Sequence, residues 1–177
     1  TLGEVLDTKY PRKSLVKLFE EKLIHINGHK ATPKDVISEG DEIWIAMVKE
    51  KIDHEPIEMN LHILYEDDDL LIVDKPAGVT VNSKDQVSLA NGVAYYFKEY
   101  GIKRKVRFLN RLDRDTTGCI VIAKSGLAQS LYQQQIDDNT FEKWYMATVE
   151  GLVDMDEDSL VLPMDRSTDG IHYEVNP

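Results

Sequence analysis

Residues 105–123 read KVRFLNRLDRDTTGCIVIA: a short apolar approach, a polar loop with two Arg and two Asp between positions 111 and 115, then five uncharged residues. A run such as CIVIA fills a buried central strand. The loop before it therefore sets Asp113 at the lip of a rigid sheet, between Arg111 and Arg114, where precise chemistry is best supported. Downstream, Ser125 is placed to cap a helix over GLAQSLYQQQI with Leu127, Leu131 and Ile136 turned inward. KWYMATVEG then alternates, which predicts a strand with Lys143, Tyr145, Ala147 and Val149 on one face and Trp144, Met146 and Thr148 on the other.

Upstream, LANGVAYYFKEYG spaces Leu89, Ala90, Val93, Ala94, Phe97 and Tyr100 along a helical stripe, ended by Gly101. The Asn91-Gly92 pair runs against that helix. LHILYEDDDLLIVDKPAGV reads as strand, acidic turn, strand and a Lys75-Pro76-Ala77-Gly78 turn, since Pro fixes φ and Gly admits positive values. Asp67, Asp68 and Asp69 are turn residues rather than a metal site, because adjacent carboxylates on a strand diverge.

The first fifty residues form a separate small unit. SLVKLFEEKL places Leu15, Leu18, Phe19 and Leu23 at helical spacing, LIHINGHKA reads as a hairpin turning at Asn27-Gly28, and IWI points Ile43 and Ile45 to one face and Trp44 to the other. The domain plan is residues 1–50, a charged Pro-containing linker over 51–59, and a second domain over 60–177. The fold class is α+β: a helix-and-hairpin unit followed by a mixed, mainly antiparallel sheet with flanking helices. From the start at Thr1 and the alternating GIHYEVNP at the other end, which reads as the middle of a strand, a fragment is expected.

A chain of 177 residues with 42% hydrophobic and 30% charged residues is globular in composition. No apolar run is long enough to span a bilayer, no secretory signal opens the chain, and the single Cys119 cannot make an internal disulfide, so a cytoplasmic protein is expected. Cys119 and both tryptophans, Trp44 and Trp144, are expected in packing roles. The net charge of −11 opposes nucleic-acid binding unless the positive charge is concentrated. It is: Lys98 to Arg114 holds seven basic residues against two acidic ones.

A carboxylate beside arginines stays ionised and serves as a nucleophile. Attack on carbon needs no cofactor, and the chain offers neither a glycine-rich phosphate loop nor a convincing metal cluster. Arginines suit a polyanion. Aspartate and basic stretch together point to covalent chemistry on a polyanionic substrate; a nucleic-acid base attacked in this way must be taken out of its stack, and Tyr145 is available to hold it.

RLDRDTTG, with VDKPAGV before it and KWYMATVEG after it, resembles the RluA/RluD-type pseudouridine synthases, over about Leu61 to Gly151. RKSLVKLFEEKLIHINGHKA followed by VISEGDEIWI resembles the alpha-L type RNA-binding module of a small-subunit ribosomal protein and tyrosyl-tRNA synthetases. The first resemblance implies that Asp113 is the nucleophile, Arg111 assists base flipping, Tyr145 contacts the base, and no cofactor or metal is needed. It implies RNA as the partner, ribosomal RNA first and transfer RNA second, with no membrane and no obligate protein partner.

The second resemblance implies RNA contacts at Arg12, Lys13, Lys17 and Lys30; the basic stretch adds Lys103, Arg104, Lys105, Arg107 and Arg114. Asn110 stands where the pseudouridine synthases usually have His, and their later Gly-Arg-Thr-His-Gln-Ile-Arg-like segment is absent from the 177 residues. Two other readings compete: a magnesium-dependent phosphatase with the D-x-D-x-T pattern at 113–117, and a non-catalytic RNA-binding regulator.

Overall fold

The structure, a computed structural model, describes residues 1–47, 49–168, 170 and 173–175. It divides into two compact units, Thr1–Glu142 and Lys143–Pro177. The first begins with α1 (Leu2–Asp7), α2 (Arg12–Glu20), β1 (Ile24–Ile26), β2 (His29–Lys30) and β3 (Ile43–Ile45). The three strands pair antiparallel in the order β2-β1-β3, and Asn27 and Gly28 turn the β1–β2 hairpin with φ of 50° and 81°. Leu2, Leu6, Leu15, Ile24 and Ala31 form the core of this part, with Leu18, Phe19, Ile43 and Ile45 packed on it. Helix α1 has no counterpart in the sequence reading: six residues are too few to be stable alone, and tertiary burial of Leu2 and Leu6 holds them.

A second sheet contains β4 (His62–Glu66), β5 (Leu70–Lys75), β6 (Arg107–Phe108) and β7 (Gly118–Ala123) in the order β4-β5-β7-β6. All three pairings are antiparallel, which corrects the expectation of a mixed sheet for the described residues. The turn between β4 and β5 is made by Asp67, whose Oδ1 accepts from the amides of Asp69 (2.9 Å) and Leu70 (2.7 Å). Helices cover both faces of the sheet. Helix α3 (Leu89–Glu99) packs Leu89, Val93, Ala94 and Phe97 with Leu71, Val73, Ile120 and Ile122. Helix α4 (Gly126–Asp137) packs Ala128, Tyr132 and Ile136 with Val121, Ala123, Leu70 and Ile72. A strand buried on both sides has no polar face, and that is why CIVIA carries no alternation.

Several details differ from expectation. The inward stripe of α4 is one residue out of phase with Leu127 and Leu131, which line a groove shared with Leu6, Tyr10 and Ile43. Ser125 caps α4 as expected, its Oγ accepting from the Ala128 amide at 3.0 Å. Cys119 is exposed, because the α4 packing reaches Val121 and Ala123 but not the first turn of the strand. Tyr100 lies past the end of α3, 69% exposed, its ring against Tyr96. The Asn91-Gly92 pair is accommodated: Asn91 Oδ1 accepts from the Ser88 amide and hydroxyl, both at 3.0 Å. A Cβ on Gly92 would come within 2.8 Å of both Cβ and Sδ of Met59, so the glycine permits that close packing.

Residues 49–59 are a strap stitched to the second sheet. The Glu50 amide donates to Lys103 O (2.8 Å), Asp53 Oδ1 accepts from the Val106 amide (2.9 Å), Asn91 Nδ2 donates to Glu55 O (3.0 Å), and Ile52 and Met59 pack on the core. Burial pushes the Glu50 and Asp53 carboxyls up. Hydrogen bonding from Arg107 and from the Val106 amide outweighs it, so both lie below their usual 4.5 and 3.8. A depressed carboxyl contributes stability above its unfolded value and loses it as pH falls through the folded one. Hydrogen exchange of the Glu50 and Val106 amides should thus accelerate, after correction for intrinsic rates, as pH drops below about 4; equal protection at pH 3 and pH 6 would refute this.

In the second unit β8 (Met164–Arg166) pairs antiparallel with β9 (Tyr173–Val175). The strand expected at GIHYEVNP is present over 173–175; Ile171, His172, Asn176 and Pro177 lie outside the described residues. KWYMATVEG forms no strand. Alternation yields a strand only where a neighbour takes its backbone hydrogen bonds, and no described strand pairs with residues 143–149. Trp144 (88% exposed) and Trp44 (63%) are both on the surface, not in packing roles. No helix among the described residues is long and apolar enough to cross a membrane.

Candidate active site

The loop between β6 and β7 is fastened at both ends. At its start Asn110 behaves as an extra strand residue, its Nδ2 donating to Cys119 O (3.0 Å) and its Oδ1 accepting from the Val121 amide (2.9 Å). Asparagine thus supplies both a donor and an acceptor to the β7 backbone at the position where a histidine was anticipated. At the other end Lys75, the last residue of β5, is fully buried, and its Nζ donates to the carbonyls of Pro76 (2.9 Å), Val79 (2.8 Å) and Arg114 (2.9 Å). The Gly78 amide donates to Arg114 O (2.9 Å) and Arg114 Nε to Gly78 O (3.3 Å), with Gly78 at φ 81° as this turn requires. Burial lowers the Lys75 ammonium below its usual 10.5, while the charges of Asp115 and Asp113 oppose that shift.

Between these two fastenings Leu112 is buried, 8% exposed, and joins the core under α3. Its neighbours Arg111 and Asp113 consequently project to solvent. A cleft of about 480 Å³ runs along them, walled by Thr80, Val81 and Asn82 on one side and by residues from Phe108 to Arg114 on the other. Asp113 sits mid-loop, five residues before β7, and so does not end a strand as the D-x-D-x-T phosphatase pattern requires. Among the described residues no group of three or more His, Cys, Asp or Glu is placed to hold a metal ion.

The structure thus brings Asp113 and Arg111 to one cleft, on a loop whose shape is set by buried contacts. Tyr145 belongs to the second unit, where it is 63% exposed. Of the basic candidates, Arg12, Lys13 and Lys17 are exposed along α2 and Lys30 on β2; Lys17 pairs with Glu21 at 3.8 Å. Lys103, Lys105 and Arg114 are exposed, and Arg104 is half-buried with its guanidinium donating to Lys103 O (3.0 Å). Arg107 departs from the expected basic surface, because its guanidinium is 12% exposed and ion-paired with Glu50.

Sequence reasoning took DKPAG as a turn and missed Lys75 as the clasp; the signal was a lysine at the third inward position of a strand after Leu71 and Val73. It also missed Thr80, whose Oγ1 is the buried side-chain polar atom without a partner among the described residues. A buried hydroxyl left unpaired costs about 1–3 kcal/mol. Thr80→Val should therefore be neutral or raise the melting temperature; a clear drop would mean the hydroxyl has a partner.

The family model described as RNA pseudouridylate synthase matches residues 69–172, more than half of the chain. An uncharacterized RNA pseudouridine synthase of Aquifex aeolicus is 30% identical, over 93% of this chain and 56% of its own. The ribosomal large subunit pseudouridine synthase D of Neisseria meningitidis serogroup B is also 30% identical, over 83% and 41%. The solved structure of human RNA pseudouridylate synthase domain containing 1 aligns over 48% of this chain and 31% of its own, at 26% identity and a TM-score of 0.39. The chain spans about half the length of the curated relatives it matches. The matched region runs from the turn before β5 through the clasped loop and beyond, taking in the cleft and its aspartate, and by that match the chain belongs to the RNA pseudouridylate synthase family.

Proposed function

We propose that this chain carries the nucleophile of an RNA pseudouridine synthase acting on structured RNA, ribosomal RNA foremost. The observation that supports the reading is the exposed Asp113 carboxylate beside Arg111 at a cleft of about 480 Å³, on a loop held by Lys75 and Asn110. The reaction is an isomerisation: the bond from the ribose to a uracil nitrogen breaks, a bond to a uracil carbon forms, and the proton lost from that carbon balances the one gained at nitrogen. Nothing is oxidised or reduced, so the atoms balance without a cofactor. In this scheme Asp113 assists departure of the base, and Arg111, an exposed guanidinium on the same loop, takes the place of the flipped uridine or holds its phosphate. Tyr145 stacks on or borders the uracil. Lys103, Arg104, Lys105 and Arg114 follow the RNA backbone beside the cleft, and Arg12, Lys13, Lys17 and Lys30 contact it from the N-terminal part. The site of action is the cytoplasm. Mapping pseudouridines in cellular RNA with and without the full-length protein tests the reading; identical maps would overturn it.

A further inference from the structure

The N-terminal three-stranded sheet has one face on its core and one face open. Ile24, Ile26, Ile43 and Ile45 take the covered face. The open face carries a row set by strand register, because His25 is the direct partner of Lys30 on β2 and of Trp44 on β3. Directly paired residues project to the same side of a sheet. Lys30, His25 and Trp44 therefore stand side by side across three strands, with Lys30 and Trp44 separated by about 10 Å, two strand spacings. Trp44 is 63% exposed, and its Nε1 donates to Glu42 Oε2 at 3.4 Å, which fixes the edge of the indole. Beside it is a shallow hollow of about 260 Å³ lined by His25, Gly28, Trp44, Ile45 and Ala46. Exposure alone would mean little, but here a flat apolar ring stands beside a hollow and in register with an imidazole and an ammonium, the groups that a base with its phosphate can meet together.

We infer that this face binds an unpaired RNA base, which stacks on Trp44 with His25 at its edge and its phosphate directed to Lys30. The inference rests on the RNA-synthase reading and adds a base-stacking site to the phosphate contacts proposed for the N-terminal part. Stacking explains how the N-terminal part could hold RNA although residues 1–50 carry eight basic against nine acidic side chains. Its strength does not depend on counterions, whereas phosphate contacts weaken as salt rises. An unpaired strand is favoured over a duplex because a paired base offers no free face.

The test is binding of a labelled single-stranded oligouridine and of a fully paired RNA duplex to the whole chain and its variants. Trp44→Ala should weaken single-strand binding by about 5- to 150-fold, the range for one base stacked on an aromatic side chain, and by the same factor at 50 and 300 mM salt. Trp44→Phe should restore most of the loss, and Lys30→Gln should lower the salt slope instead. In a Trp144→Phe background, which leaves Trp44 as the sole fluorophore of its type, oligouridine should quench the emission. Unchanged thermal midpoints for the exposed-site variants would separate lost contact from lost fold. If the parent protein binds oligouridine and Trp44→Ala binds it equally well, the base site is refuted while the synthase reading stands. Failure of the parent to bind any RNA would overturn both.

Discussion

Asp113→Asn in the complete protein is expected to lower pseudouridine formation by about 10⁴-fold or more, the scale seen when an enzyme loses its nucleophile. The change is nearly isosteric, and the loop does not depend on the carboxylate. Asp113 contributes to local structure through its carbonyl, which accepts from the Thr116 amide at 3.2 Å, and that bond survives the substitution. What disappears is the negative charge and the lone pair able to bond to carbon. RNA affinity should stay level or tighten, since one repulsive charge is removed between Arg111 and Arg114. Release of tritium from RNA labelled at the uracil carbon, measured beside filter binding, separates the two effects. Turnover at the parent rate would exclude Asp113 as the nucleophile.

Lys75→Met is the second large effect, and it acts on folding first. Methionine fills the space of the lysine stem as far as Cε and needs no desolvation of a charge, which favours the variant. Against this, the carbonyls of Pro76 and Val79 lose their donor, at about 1–3 kcal/mol for each left buried and unpaired, while Arg114 O keeps the bond from the Gly78 amide. The expected balance is a loss of about 3 kcal/mol, enough to lower the melting temperature by several degrees or more in a domain of this size. At temperatures where the variant stays folded, the product rate should still fall, because the Arg114 end of the loop is then held by its Gly78 contacts alone and Asp113 is placed less firmly. Lys75→Arg should not rescue it, since a planar fork does not fit a pocket shaped for one ammonium. A Lys75→Met protein that melts and turns over like the parent would show the clasp to be dispensable.

These two residues mark what the sequence discloses and what it hides. The placement of Asp113 on an exposed loop ahead of a buried strand was legible because charge, loop and apolar run are contiguous: the residues that explain its setting are its own neighbours. Lys75 was not, because its partners include a carbonyl 39 residues away, and carbonyls carry no signature in a sequence. The same contrast runs through the fold. The strand at CIVIA, the hairpin at Asn27-Gly28 and the helices over 12–20, 89–99 and 126–137 follow from local periodicity and capping. KWYMATVEG alternates as cleanly as any strand, yet pairing is a property of two segments, and the described residues supply no second one. The one-residue error in the phase of α4 has a related origin. Leu127 and Leu131 are apolar because they face the N-terminal part, and a helix touched on two sides does not announce which side is the sheet.

The stitched strap has a consequence for how a target is chosen. Glu50, Asp53 and Glu55 tie the chain leaving the N-terminal sheet to residues 91, 103 and 106, just upstream of the aspartate loop. A flexible tether would let the two surfaces proposed to face RNA roam independently and accept many spacings. A tether sewn down works as a ruler: on the proposed reading, a uridine comes within reach of the carboxylate only when whatever the first fifty residues hold lies at one fixed offset from it.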